Sequence, residues 1–230
     1  MTRHAATHSA LSALSVLLLA GCLFRDDASL PAPIVPLAAG NSWTYVDSAL
    51  YRPDSVGIDS TRTDILGERV VTVNGSPRTV YLSNTRDRTT GLPGALTLYV
   101  RNGPDGEYTV GATRDSGEVL FETLHVKHPG KRGERYVTYF VDLRAVDGAW
   151  EPVLDTVEIE VAVPDTVCAT PAGTFRCTEY RGRRAGVLFA RTWYAPGVGY
   201  LGSDVSRTID VDGETREVIF RKRLARYTLH

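Results

Sequence analysis

A chain of 230 residues is long enough for one ordinary domain, or for one domain and a processing segment. Its 26 Lys and Arg balance 27 Asp and Glu, a formal net charge of −1, so there is no basic excess of the kind that nucleic-acid binding calls for. With 43% hydrophobic and 23% charged residues it has the make-up of a folded chain, and three Cys are too few for a disulfide-built scaffold.

Residues 1–21 read as a secretory signal. Arg3 supplies the positive start, Leu11 to Ala20 is an apolar run, and the small residues Ala20 and Gly21 precede Cys22. The run is about half the roughly 20 residues that a membrane-spanning helix needs, which points to a cleaved signal. Leu19-Ala20-Gly21-Cys22 resembles the lipobox of bacterial lipoproteins. The resemblance implies cleavage before Cys22, acylation of its thiol and anchoring to a membrane by acyl chains, each buried CH₂ contributing about 0.8 kcal/mol. Leu23 stands where Asp often marks inner-membrane retention in that family, so the resemblance implies the outer membrane, facing the periplasm, in a host with two membranes. Residues 22–36 read as the lipidated Cys and a tether. Pro31, Pro33 and Pro36 favour an extended spacer and exclude a helix. Cleavage would remove one charged residue, Arg3, leaving 25 basic against 27 acidic residues and a net charge of −2.

Residues 37–230 read as a single antiparallel β domain. Val157, Ile159, Val161 and Val163 alternate with Glu158 and Glu160, the period of a half-buried strand. In Tyr136 to Leu143 the apolar face is expected to be Val137, Tyr139, Val141 and Leu143. Val70 to Val73, Thr79 to Leu82, Leu96 to Val100, Val119 to Val126 and Val218 to Phe220 add further strands. Asn74-Gly75, Asn102-Gly103, Asp105-Gly106, Asp147-Gly148 and Asp212-Gly213 accept the positive φ of tight hairpins. Ser116-Gly117, Pro129-Gly130 and Pro196-Gly197 break other runs. No long window carries helical periodicity. The expected fold is therefore all-β, a sandwich or an open half-barrel with little helix outside the signal peptide.

Cys168 and Cys177 flank Thr170-Pro171-Ala172-Gly173. If their strands pair across a four-residue loop, the two thiols face each other and a disulfide is expected in an oxidising compartment. A one-residue slip in register would instead place them on opposite faces.

Three short patterns resemble a loose group of uncharacterised bacterial lipoproteins: Pro36, Gly40, Trp43 and Tyr45; Thr170 to Cys177; and Trp193 to Gly202. The resemblance implies an exported, lipid-anchored β domain and carries no activity or catalytic residue. Trp193 and Tyr194 read as packing aromatics, and Gly197 and Gly199 as hinges of a turn. A more distant similarity is to the open β-barrels of the lipoprotein-localisation carriers, which cradle acyl chains, although no helical plug is visible here.

Catalytic patterns are missing: there is no zinc-protease motif, phosphate loop, nucleophile elbow or Cys-x-x-Cys. Past the signal the histidines are His125, His128 and His230, and the odd spacing of the first two puts them on opposite faces of a strand. Asp115-Ser116-Gly117 and Asp210-Val211-Asp212-Gly213-Glu214 read as turns, neither as a protease nucleophile nor as a calcium loop. Arg181, Arg183 and Arg184, and Arg221, Lys222, Arg223 and Arg226, form two basic clusters, which read as solvated edges or as contacts for anionic headgroups or an acidic partner. The sequence thus leads to a lipid-anchored interaction or structural module, not an enzyme, with no metal, cofactor or nucleic acid. Its partners would be the membrane, through Cys22, and an envelope protein. The alternative is a binding protein for a lipid or other hydrophobic ligand held in a curved sheet.

Overall fold

The computed structural model describes residues 32–51, 55–87, 96–114, 117–146, 149–211 and 214–230. The signal peptide, Cys22 and most of the tether lie outside the described residues, as do Asp115-Ser116, Asp147-Gly148 and Asp212-Gly213. Pro33–His230 is one compact unit.

Twelve strands are found among the described residues, and no helix. They are β1 (Ser42–Tyr51), β2 (Ser55–Val73), β3 (Ser76–Asp87), β4 (Thr97–Gly103), β5 (Gly106–Arg114), β6 (Gly117–Lys127), β7 (Arg135–Val146), β8 (Ala149–Thr170), β9 (Gly173–Arg184), β10 (Val187–Ala195), β11 (Gly199–Val211) and β12 (Glu214–Thr228). All belong to one antiparallel sheet in the order β6-β5-β4-β3-β2-β1-β12-β11-β10-β9-β8-β7. Two six-strand meanders therefore join where β1 pairs with β12, and β6 and β7 are the two edges.

That connectivity forces the sheet to roll. Seven residues, His128 to Glu134, carry the chain from β6 to β7. Fully extended they reach about 25 Å, whereas the edges of a flat sheet of this width would lie about 53 Å apart. The edges do meet, through side chains: among the described residues no backbone ladder joins β6 to β7. Thr123 and Thr138 hydroxyls lie 3.2 Å apart, the Tyr136 hydroxyl donates to the His125 carbonyl at 3.0 Å, and the Lys127 N–H donates to Tyr136 at 3.2 Å. The phenol thus satisfies edge-strand groups that would otherwise lack partners. Of the two expected architectures, the nearly closed barrel-like sheet is the one formed.

The face of β7 differs in part from expectation. Val137 and Tyr139 are exposed, at 58% and 41%, while Thr138 is fully buried and Tyr136 and Phe140 pack inward, although Tyr139 and Val141 of the expected face also line the interior. Both faces of this strand are apolar, so alternation alone could not choose between them; the seam with β6 does. On β8 the expected face holds: Val157, Ile159 and Val161 are buried, and Glu158 and Glu160 pair outside with Arg135.

Turn chemistry explains the hairpins. Asn74 and Gly75, at φ 49° and 76°, make the β2–β3 turn, and Ala185 and Gly186, at 46° and 80°, make the β9–β10 turn. Between β4 and β5 the turn residues are Pro104 and Asp105, shifted from the two expected Asn/Asp-Gly pairs, since Gly103 pairs with Gly106. Gly106 is then required for another reason: a Cβ there would sit 1.9 Å from the Val126 carbonyl oxygen of β6.

Residues Pro33–Asn41 cover one end of the barrel. Pro33, Ile34 and Pro36, read from the sequence as the end of the tether, lie in the compact unit. Ile34 is buried with Val126, Val157 and Tyr180. The Gly197 N–H donates to the Pro33 carbonyl, and the Trp43 indole N–H donates to the Val198 carbonyl at 2.7 Å. Two of the sequence motifs therefore meet: Pro36 to Tyr45 packs on the Trp193 to Gly202 hairpin, with Gly197 and Gly199 at positive φ.

A second core lies apart from the barrel interior. After the bulge at Leu66-Gly67 the β2–β3 hairpin runs on and packs Val71, Val73 and Val80 against Tyr99 and Val110. Arg69–Glu118 and Arg78–Glu122 tie this flap to β6.

Cys168 and Cys177 form the expected disulfide, with Cα atoms 6.2 Å apart. The register is not the one expected. The loop is the two residues Pro171-Ala172, and Cys168 pairs with Phe175 while Cys177 pairs with Thr166. The bond is therefore diagonal, between residues two positions apart on one face, and still within disulfide reach.

Candidate functional site

The barrel holds a partly open cavity of about 440 Å³, within the range of small-molecule sites. Most of its wall is apolar, with Leu98 and Val100 on β4, Ile159 on β8, Ala190 on β10 and Val205 on β11. Val35, Leu37 and Trp43 close it at the end covered by the N-terminal segment. Arg184 and Arg207 lie towards the other end; Arg184 pairs with Asp155 at 2.8 Å, and Arg207 lies over the Phe220 ring.

A chain of aromatic rings crosses the closed end. Tyr45 and Tyr200 have centroids 5.4 Å apart, Tyr200 and Tyr194 5.3 Å, and Tyr194 and Tyr180 5.8 Å. Three of their hydroxyls are engaged elsewhere. Tyr45 donates to the Tyr200 carbonyl, Tyr180 to the Lys127 carbonyl, and Tyr194 bonds His125 Nε2 at 3.3 Å. Burial raises all of these phenols above their ordinary pKa, so they stay neutral.

Glu107 stands in this wall. It is 7% exposed, and among the described residues no group donates a hydrogen bond to its carboxyl. It reaches its position because Asn102 pairs with Glu107 beside the β4–β5 turn, and alternation along β5 turns Glu107 and Thr109 inward. Burial pushes its pKa from 4.5 up to about 8. It lies close enough to Tyr45, Tyr136 and Tyr194 that, after burial itself, its charge adds to the rise in each. His125, on neighbouring β6, is also buried; burial lowers its pKa from 6.5 to about 4, and its ring packs edge-on against Phe140 at 5.3 Å. The cavity therefore offers a neutral imidazole, several neutral phenols and one carboxyl group without a partner among the described residues.

The residues singled out from the sequence are distributed as follows. Tyr194 lines the cavity, while Trp193 lies outside beneath the Arg223 guanidinium. His125 faces the cavity and His128 a separate hollow beside Pro129 and Pro164. Among the described residues no group of three His, Cys, Asp or Glu is placed as metal ligands would be. The basic clusters are split by alternation and largely neutralised. Arg181 pairs with Glu179, Arg183 with Glu160, and Arg221 and Arg223 share Asp204, while Lys222 points inward to Asp47 at 3.2 Å. Glu107 carries no sequence signal: after Pro104-Asp105-Gly106 it looks like one more solvated turn residue.

No family model matches the chain, and no curated protein does. One solved structure is similar, from Bacteroides fragilis, provisionally described as an exported protein with a YmcC-like fold. The similarity covers 86% of this chain and 100% of that one, at 13% identity and a TM-score of 0.44.

Proposed function

We propose that this chain is an exported lipoprotein, anchored through Cys22 and, in a host with two membranes, held at the outer membrane, whose barrel binds a small, largely hydrophobic ligand without transforming it. The sequence by itself favours an interaction or structural module. The observation that moves the reading to ligand binding is the 440 Å³ apolar cavity. A domain built only to present an outer surface has no need of an unfilled interior, because voids weaken a core. Anchoring rests on the order of Arg3, the Leu11–Ala20 run and the Leu19–Cys22 box.

Native mass spectrometry of residues 23–230, purified from an oxidising compartment, tests the binding reading. A reproducible extra mass that extracts into organic solvent is expected. A bare chain, together with failure to take up any added amphiphile, would return the reading to an interaction module. Anchoring has its own check: Cys22→Ser should abolish acyl labelling of the full chain, and unchanged labelling would refute it.

A further inference from the structure

The closed end of the cavity has a chemistry that the apolar wall does not explain. Glu107 is a carboxyl group more than nine-tenths buried, with no hydrogen-bond donor from the described residues and no cation beside it. The positive side chains nearest the interior have other partners: Lys222, held by Asp47 and by the Thr61 hydroxyl at 2.7 Å, lies over the Tyr45 ring, Arg184 is held by Asp155, and Arg207 lies over the Phe220 ring. Two of the phenols around it have their protons committed, Tyr45 donating to the Tyr200 carbonyl and Tyr136 to the His125 carbonyl, and the Tyr194 hydroxyl is bonded to the His125 imidazole. What remains towards the cavity is an unpaired acid among electron-rich rings.

An isolated buried carboxyl is a cost to the fold, usually removed by pairing it or by replacing it with an apolar residue. Among the described residues none supplies the missing partner, and the carboxyl faces the cavity. A neutral ligand would supply one hydrogen bond and leave the ionised form unfavourable. An organic cation would stabilise the ionised form and also gain from the ring quadrupoles, the combination by which proteins recognise alkylammonium groups.

We propose that the ligand is an amphiphile with an organic ammonium head, seated against the Glu107 carboxylate beside Tyr194 and Tyr200, with its apolar tail running along Leu98, Ala190 and Val205. The assignment rests on the ligand-binding reading given above and names the chemical class it takes. The tail residues lie further from the closed end than the tyrosines do: Ala190 pairs with Val205, while Tyr194 pairs with Tyr200 near the β10–β11 turn.

Three probes of one chain length separate the heads: decylammonium, 1-decanol and decanoate, titrated calorimetrically at pH 7 into residues 23–230 below their micelle concentrations. The wild-type chain should bind decylammonium about tenfold or more tighter than the other two. Glu107→Gln should bring decylammonium down to the affinity of decanol, and retained decanol binding shows that the variant's cavity is intact. Equal affinity for the three probes, a preference for decanoate, or an unchanged ammonium preference in Glu107→Gln would overturn the assignment while leaving the cavity as a binding site. Failure of all three to bind the wild-type chain would remove both readings. Because the head-group comparison is made on the wild-type chain, the test stands even if the variant does not fold.

Discussion

Glu107 and Glu122 lie on adjacent strands, β5 and β6, and have been given opposite surroundings. Glu107 faces the barrel interior with no partner among the described residues, and burial raises its pKa to about 8. Glu122 faces outward under the β2–β3 flap. Burial pushes it up too, but hydrogen bonds from Arg101 and Arg78 outweigh that and hold it below the usual carboxylate range. One region completes its charges with its own side chains; the other leaves one incomplete. A structural site shows the first pattern, where the fold is the only customer of the charge. A receiving site shows the second, where the partner comes from outside.

The largest expected consequence is in the pH dependence of stability. Glu107 has a folded pKa of about 8 against 4.5 when exposed, so the unfolded chain loses its proton first and stability falls as pH rises from about 4.5 to 8. His125 works the other way: with a folded value of about 4 against 6.5, the unfolded chain takes up the proton first, and stability rises with pH across that window. Where the windows overlap, from about pH 4.5 to 6.5, the two slopes oppose each other, and His128, also lowered by burial, adds to the rise. Above pH 6.5 only Glu107 remains, and the chain should lose about 2 kcal/mol by pH 8. In Glu107→Gln that loss should vanish, and a rise between pH 4.5 and 6.5 should be uncovered. The cost of burying the amide is the same at every pH, so the slope is the readout. Urea melts at pH 5.5, 6.5 and 8 measure it; a wild-type chain no less stable at pH 8 than at 6.5 would contradict the environment assigned to Glu107.

The same contrast shows what could be read from the sequence. The strands, the turns at Asn74-Gly75 and Pro196-Gly197, and the lack of helix among the described residues were legible because they depend on local alternation and on residues that accept positive φ. The Cys168–Cys177 bond was legible as a pair, but not in its diagonal register, because the loop could not be seen to shrink to Pro171-Ala172. On β7 the expected face was legible only in part: Tyr139 and Val141 line the interior, but Tyr136 and Phe140 compete with Val137 and Tyr139 for burial, and the distant β6 edge decides. The flap was hidden behind Leu66-Gly67, which resembles the end of a strand and is instead a bulge within β2. Glu107 was the least legible of all. Its inward position follows from the β4–β5 register and from the segment Pro33–Asn41 closing the barrel end above it, both of which are tertiary facts.

The smaller effect is expected at the paired glutamate. Glu122→Gln removes the charge that Arg78 and Arg101 share and leaves two guanidinium groups facing each other beneath the flap. Arg78 is 37% exposed, so water and salt screen much of the interaction, and a loss of about 1 kcal/mol is expected at neutral pH. The sign against pH is opposite to that of Glu107: a lowered carboxylate stabilises above its unfolded pKa, and the contribution fades as pH falls through the folded value. The difference between wild type and Glu122→Gln should therefore shrink below about pH 4 and also in 1 M salt, where the screening length is about 3 Å. Amide exchange should place the loss in the flap, at Val71, Val73 and Val80, with the barrel strands β8 to β11 unchanged. If exchange instead rose throughout the barrel, the flap would be part of the same cooperative unit as the cavity wall, and the two glutamates would report on one region and not on two.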